Sequence, residues 1–196
     1  LAYATHEGLP HGFRIADNVI VYPCPSSNRS YAGNPSFAAQ MGRVREWRES
    51  NPKLRLGLWL YNCFPLLSAS LGGYRCFPGF FAHEAARQYR LFKELDIDGG
   101  IFQCGLHGEV SNYMQVQLMV DPLRGADEML DECFRIYGKS GKAMRAFYDI
   151  VEDRYCDLSN RSKTAAGAAQ DWEHVCPPEV MEKLGALIAQ AEGRDL

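Results

Sequence analysis

Leu54-Arg55-Leu56-Gly57-Leu58-Trp59-Leu60-Tyr61 is the third of four β-type runs in this chain, and the fold follows from how the others are spaced around it. Upstream lies Asn18-Val19-Ile20-Val21-Tyr22, stopped by Pro23, and before it Leu1-Ala2-Tyr3-Ala4-Thr5. Downstream lies Gly100-Ile101-Phe102-Gln103. The second and fourth are short apolar runs bounded by turn residues. Such runs fit strands buried on both faces, as parallel sheets require.

Helical patterns occupy the spaces on either side of the third run. Asn34-Pro35 is a helix start, with Asn as N-cap and Pro at the first helical position. Phe37, Met41, Val44 and Trp47 then form one apolar face, and the helix stops before Asn51-Pro52. A second helix is expected over Ala82–Leu95, with Ala85, Ala86, Tyr89, Phe92 and Leu95 on one side. Asp96-Ile97-Asp98-Gly99-Gly100 turns the chain into the fourth run. Strand, loop, helix, strand, repeated, is a βα crossover series. The first gap, with Pro10 and Gly12, is too short for a crossover helix and reads as a degenerate unit or a bare loop. The later gaps leave long loops between strand and helix, longer than usual connections, and such loops commonly hold a binding site.

From Asn112 the pattern is all helix. Helices are expected over Ser111–Val120, Ala126–Tyr137 (stopped by Gly138), Lys142–Tyr155 and from Pro177-Pro178 to about Ala191. Ser159–Gln170 is small and polar and reads as a linker or weak helix. The pattern therefore divides near residue 110, with a βα series over residues 1–110 and a helical extension over 111–196. Because the first residues already form a strand-like run, an N-terminal part of the parent is expected to precede them.

Composition limits the function classes. The chain has 196 residues, 46% hydrophobic and 23% charged, with a net charge of −3. That is globular composition without a basic footprint, so nucleic acid is not an expected partner. No apolar run is long enough to span a membrane. The seven cysteines contain no CxxC spacing, so they read as buried thiols rather than metal ligands, and neither metal nor cofactor is expected. Disulfides would belong to an exported (periplasmic or extracellular) parent.

Three stretches carry a family resemblance: Asn18-Val19-Ile20-Val21 with Pro23-Cys24-Pro25; Leu58 to Phe64; and Phe92 to Gly105. Met119-Val120-Asp121-Pro122 and Asp131 to Gly138 add to it. In order and spacing, residues 1–155 resemble a bacterial domain family of unknown function, the DUF4838 type, itself similar to glycoside-hydrolase (β/α)8 barrels such as the α-glucuronidases. The resemblance implies an α/β protein: the C-terminal part of a TIM-type (β/α)8 barrel with parallel strands, followed by a helical C-terminal extension. It also implies a carbohydrate-active, hydrolase-like parent, completed by its N-terminal half. Members often carry Phe-Glu-Gln-Gly after the last strand. Here the run is Phe102-Gln103-Cys104-Gly105, so an amide stands where the acid is expected.

Reacting groups in parallel barrels sit just past the C-terminal strand ends. There the sequence places His6 and Glu7 after the first run, Arg29 after the second, Tyr61 and Asn62 after the third, and Gln103, His107 and Glu109 after the fourth. Amides and carboxylates hydrogen-bond sugar hydroxyls, rings stack on a pyranose, and a guanidinium can clamp a uronic-acid carboxylate. Glu7 and Glu109 are the candidate catalytic pair, since glycoside hydrolysis needs two facing carboxyl groups. For Glu109 the competing role is a helix-start carboxylate, and for Glu7 a solvated loop charge. His6, Arg29, Tyr61, Asn62, Gln103 and His107 are the candidate sugar-binding set. Trp59 and Tyr61 are assigned to opposite faces of the sheet, with Tyr61 at the rim. The expected function is a glycoside-hydrolase-like barrel acting on polysaccharide or oligosaccharide; the alternatives are a non-catalytic carbohydrate-binding or scaffold barrel and a metabolic barrel enzyme of another class.

Overall fold

A computed structural model describes residues 1–2, 6–25, 35–62, 69, 71–74, 77–103, 108–160 and 168–193. It is an α/β structure built on a small parallel sheet. Strands β1 (Ile20–Val21), β2 (Arg55–Leu60) and β3 (Gly99–Phe102) lie side by side in chain order. Both pairings are parallel, with Ile20 opposite Arg55 and Trp59 opposite Ile101. Ala2 adds a parallel bridge to Pro23, with Ala2 N–H donating to the Tyr22 carbonyl at 2.9 Å. The second and third expected runs thus reappear shortened at their ends and the fourth begins one residue early, while residues 3–5 of the first lie outside the described residues. The second shrinks to two residues because Val19 N–H closes a turn on the Ala16 carbonyl, which takes Asn18 out of the sheet. Among the described residues, 6–19 hold no crossover helix, as the short first gap requires.

Helices α1 (Pro35–Ser50) and α2 (Ala82–Glu94) make the crossovers. The expected cap Asn34 lies outside the described residues. Side chains alternate across a strand, so Leu56, Leu58 and Leu60 share one face of β2, and all three are buried. Trp47 of α1 packs with Leu56, Val21 and Ala2. Met41 and Val44 of α1 join Leu58, Leu60 and the Ala85, Ala86, Tyr89, Phe92 face of α2 in the main core. Both helices therefore cover the same side of the sheet. The other side carries Tyr22, Trp59 and Ile101, of which Ile101 is 44% exposed. Gly57 sits on that face, which is bare of helices among the described residues, beneath the Tyr22 ring, where an added Cβ would overlap the ring atoms.

The assignment of Trp59 and Tyr61 to opposite faces is corrected here. Residues two apart on a strand point the same way, and their ring centroids lie 6.4 Å apart. Trp59 belongs to the bare face with Tyr61, and Leu58 and Leu60 are the residues under the helices.

After β3 come α3 (Glu109–Val120), α4 (Ala126–Arg135), α5 (Gly141–Cys156), α6 (Ala168–Val175) and α7 (Pro178–Ala191). Helix α4 ends earlier than the sequence pattern, and a 3-10 turn over Gly138–Ser140 follows, with Gly138 at φ 55°. Helix α6 begins in the last residues of Ser159–Gln170, the stretch read as a linker or weak helix. Tertiary contacts hold it: Trp172 Nε1 donates to the Tyr74 carbonyl at 2.9 Å, and its ring stands edge-on to Phe77 at 5.3 Å. Arg154 of α5 satisfies the last carbonyls of α6, donating to His174 O at 2.6 Å and Val175 O at 2.8 Å. One apolar cluster runs from α1, β2 and α2 through Met114, Leu118, Met129 and Leu130 to Val180 and Leu184, across the expected division near residue 110.

Arg48, at the end of α1, ties the N-terminal side of the sheet together. Its guanidinium donates to Leu95 O at 3.2 Å, to Leu54 O at 2.9 Å and to the Asp96 carbonyl. Nearby, the Asp98 carboxylate accepts the Leu56 N–H at 2.8 Å. These bonds fix the α1–β2 and α2–β3 turns against each other. Arg48→Leu leaves carbonyls without their charged donor, and is expected to cost about 2 kcal/mol in urea unfolding. Gly57→Val drives the Tyr22 ring off its seat at about 1–3 kcal/mol. In Tyr22→Ala the same change should be nearly neutral, a coupling that a double-mutant cycle reads directly.

Candidate functional site

The parallel register decides which candidate residues meet. Leu60 and Phe102 are partners, so Tyr61 and Gln103 stand one step further along adjacent strands, at their C-terminal ends. Gln103 N–H donates to Leu60 O at 2.8 Å, which carries the pairing past the strand. Asn62 follows and is buried, while Tyr61 and Gln103 are half-buried. Trp59 lies one step down the same face. Its indole N–H is buried and finds no acceptor among the described residues. Ring, amide, amide and indole N–H thus share one rim.

The other candidates divide. Glu7 is drawn to the helix-covered side: its carboxylate pairs with Arg43 of α1 at 2.8 Å, and its carbonyl accepts Trp47 Nε1 at 2.9 Å. Glu109 is exposed in the first turn of α3, where it has the favourable helix-start position. Its negative charge reaches Tyr137 and Tyr148, adding to burial in raising both hydroxyls. No described contact joins Glu7 to Glu109. His6 is exposed in the loop that precedes Glu7. Arg29 and His107 lie outside the described residues.

Among the described residues no group of His, Cys, Asp and Glu is arranged to hold a metal ion, and no helix is long and apolar enough to cross a membrane. Cys24, Cys133, Cys156 and Cys176 are free thiols. Burial pushes Cys24, Cys133 and Cys176 up, away from the reactive thiolate.

The strongest electrostatic cluster lies elsewhere, where α2 meets α4 and α5. His83 Nδ1 is 2.8 Å from Glu152 Oε2 and Nε2 is 3.2 Å from Asp127 Oδ1. Its backbone N–H also donates to Glu152 Oε1 at 2.7 Å. Glu152 is almost fully buried. Arg145 closes the group, at 2.6 Å from both Asp127 and Asp131 and 2.8 Å from Asp149. The hydrogen bond to Glu152 outweighs burial and raises the imidazole to about 9. Asp127 is lowered by Arg145 and His83. Sequence reading missed this cluster because its members are scattered from residue 83 to 152 and none falls at a strand end. The cluster joins α2, α4 and α5.

A cleft of about 320 Å³ opens beside β3, between Leu58, Leu60, Tyr89, Phe92, Ile101 and Leu118. It follows the outer edge of β3, with which no described strand pairs.

Comparison with known proteins adds no relative: no family model, curated protein or solved structure matches the chain. The class the coordinates define is an α/β protein with parallel strands in chain order and helices on one side.

The His83 cluster has a definite pH signature. A folded-state value near 9 against an ordinary 6.5 means that the folded chain holds the proton more tightly. Its stabilisation is complete below about pH 6.5 and is lost as pH climbs to about 9. Thermal melts across that window should show Tm falling with rising pH in the native chain. In His83→Gln the slope over the same window should be flatter.

Proposed function

We propose that this chain is the C-terminal part of a (β/α)8-type barrel of the glycoside-hydrolase kind, and that its strand ends bind carbohydrate. The observation that carries the reading is the pairing of Tyr61 with Gln103 at neighbouring strand ends, beside Asn62 and above Trp59. A phenol ring offers a stacking surface for a pyranose, and two amides with an indole N–H match its hydroxyls as donors and acceptors.

Two features of the sheet support the barrel. Its helices lie on one side, while its other side presents Tyr22, Trp59, Tyr61 and Ile101, as the inward-facing side chains of a barrel wall do. Among the described residues no strand pairs with the outer edge of β3, which lies beside a cleft, the position at which a barrel's first strand closes on its last. In this reading the N-terminal half of the parent chain supplies that strand.

Within the chain, binding is favoured over turnover. Glu7 is neutralised by Arg43, Glu109 begins a helix, and the last-strand position is the amide Gln103. Hydrolysis in the parent then rests on carboxylates of the N-terminal strands, with this part holding the sugar. Calorimetric titration of the full parent protein with neutral and uronic-acid oligosaccharides tests the reading. Tyr61→Ala and Gln103→Ala should each weaken the preferred sugar by about tenfold, near 1.4 kcal/mol, with melting unchanged. Absence of heat with every sugar, or binding untouched by both substitutions, defeats it.

A further inference from the structure

A second cavity, of about 330 Å³, lies between the strand-end loops and the helical extension. Phe77 to Phe80 reach it from the β2–α2 connection, Gly108 from the end of the β3–α3 connection, Val110 and Ser111 from the first turn of α3, and most of the remaining wall comes from α5, α6 and α7. The size is that of a small-molecule pocket.

Its chemistry is one-sided. None of the described residues lining it carries a formal charge. Aromatic rings dominate: Phe77 stands edge-on to Trp172 at 5.3 Å, Phe80 edge-on to Tyr148 at 4.9 Å, and Phe147 edge-on to Tyr148 at 5.7 Å. Among the described residues, the hydroxyls in the wall belong to Ser111 and Tyr148. Aromatic pairs prefer such edge-on geometry, and an apolar cavity of this kind is poorly occupied by water, which needs several polar partners. The Glu109 carboxylate lies near enough to add to burial in pushing Tyr148 up to about 12. The same negative field opposes an anionic ligand.

Gly185 of α7 lines the exposed mouth of the cavity, and an added Cβ there would meet nothing within 4 Å.

We propose that this cavity binds an uncharged aromatic molecule bearing a hydroxyl, with its ring among Phe77, Tyr148 and Trp172 and its hydroxyl on Ser111 or Tyr148. The site is separate from the Tyr61–Gln103 rim and does not depend on the sugar reading. The test uses the neutral fluorophore N-phenyl-1-naphthylamine on the intact chain. Saturable binding is expected, displaced by 2-naphthol and not by decanoate at equal concentration. Gly185→Phe places a ring at the mouth of the cavity and should weaken the fluorophore at least about tenfold, with far-UV circular dichroism and melting preserved. Gly185→Leu, a better helix former, serves the same purpose if the Phe variant does not melt cooperatively. Absence of saturable binding, undiminished binding in the folded Gly185 variant, or displacement by decanoate as effective as by 2-naphthol overturns the proposal. Failure of 2-naphthol to displace the fluorophore overturns it as well.

Discussion

The structure depends on β2 having two unlike faces. Leu56, Leu58 and Leu60 must leave water, and strand alternation puts all three on one side. Covering them requires α1 and α2 on that side together, so both crossovers fall on the same face of the sheet. The opposite positions, Gly57, Trp59 and Tyr61, are thereby committed to the other face. Burial of three leucines thus fixes the placement of helices as well as the identity of the bare aromatic surface.

The two ends of the sheet are held differently. At the N-terminal end, Arg48 and Asp98 satisfy backbone groups of the turns, so each connection is short and tied down. At the C-terminal end the chain leaves the sheet into longer connections that carry Tyr61, Asn62 and Gln103 to the rim and Phe77 to Phe80 into the aromatic cavity. A bonded floor at one end and a rim of polar and aromatic side chains at the other is a layout common in parallel βα architecture.

The helical extension is bound to the sheet layer by two kinds of contact. The apolar cluster continues from Phe92 through Met114 and Met129 to Leu184, and its long reach makes the extension part of one core. The His83, Glu152, Asp127 and Arg145 network crosses the same boundary with charge. Buried Glu152 needs both its imidazole and its backbone donor, because an unpaired carboxylate there would carry a heavy desolvation cost. The network therefore selects one relative placement of α2, α4 and α5, while the apolar contacts alone would tolerate sliding.

The sequence by itself determined the element order. Pro35, Pro178 and Gly138 mark helix ends through fixed φ, a missing N–H or left-handed backbone, all local properties. Apolar periodicity over Phe37 to Trp47 and Ala85 to Leu95 placed α1 and α2 because it reflects a face that must be buried. The strand-end rule, which needs only strand ends and a common direction, grouped Tyr61, Asn62 and Gln103 with His6, Glu7, Arg29, His107 and Glu109. Only the tertiary structure decided the rest. Glu7 turned to Arg43, Trp59 joined Tyr61 on the bare face, α6 formed from a polar stretch around Trp172, and His83 found Glu152 69 residues away. Each of these results from a partner distant in the chain, and no local pattern encodes the energy of such a contact.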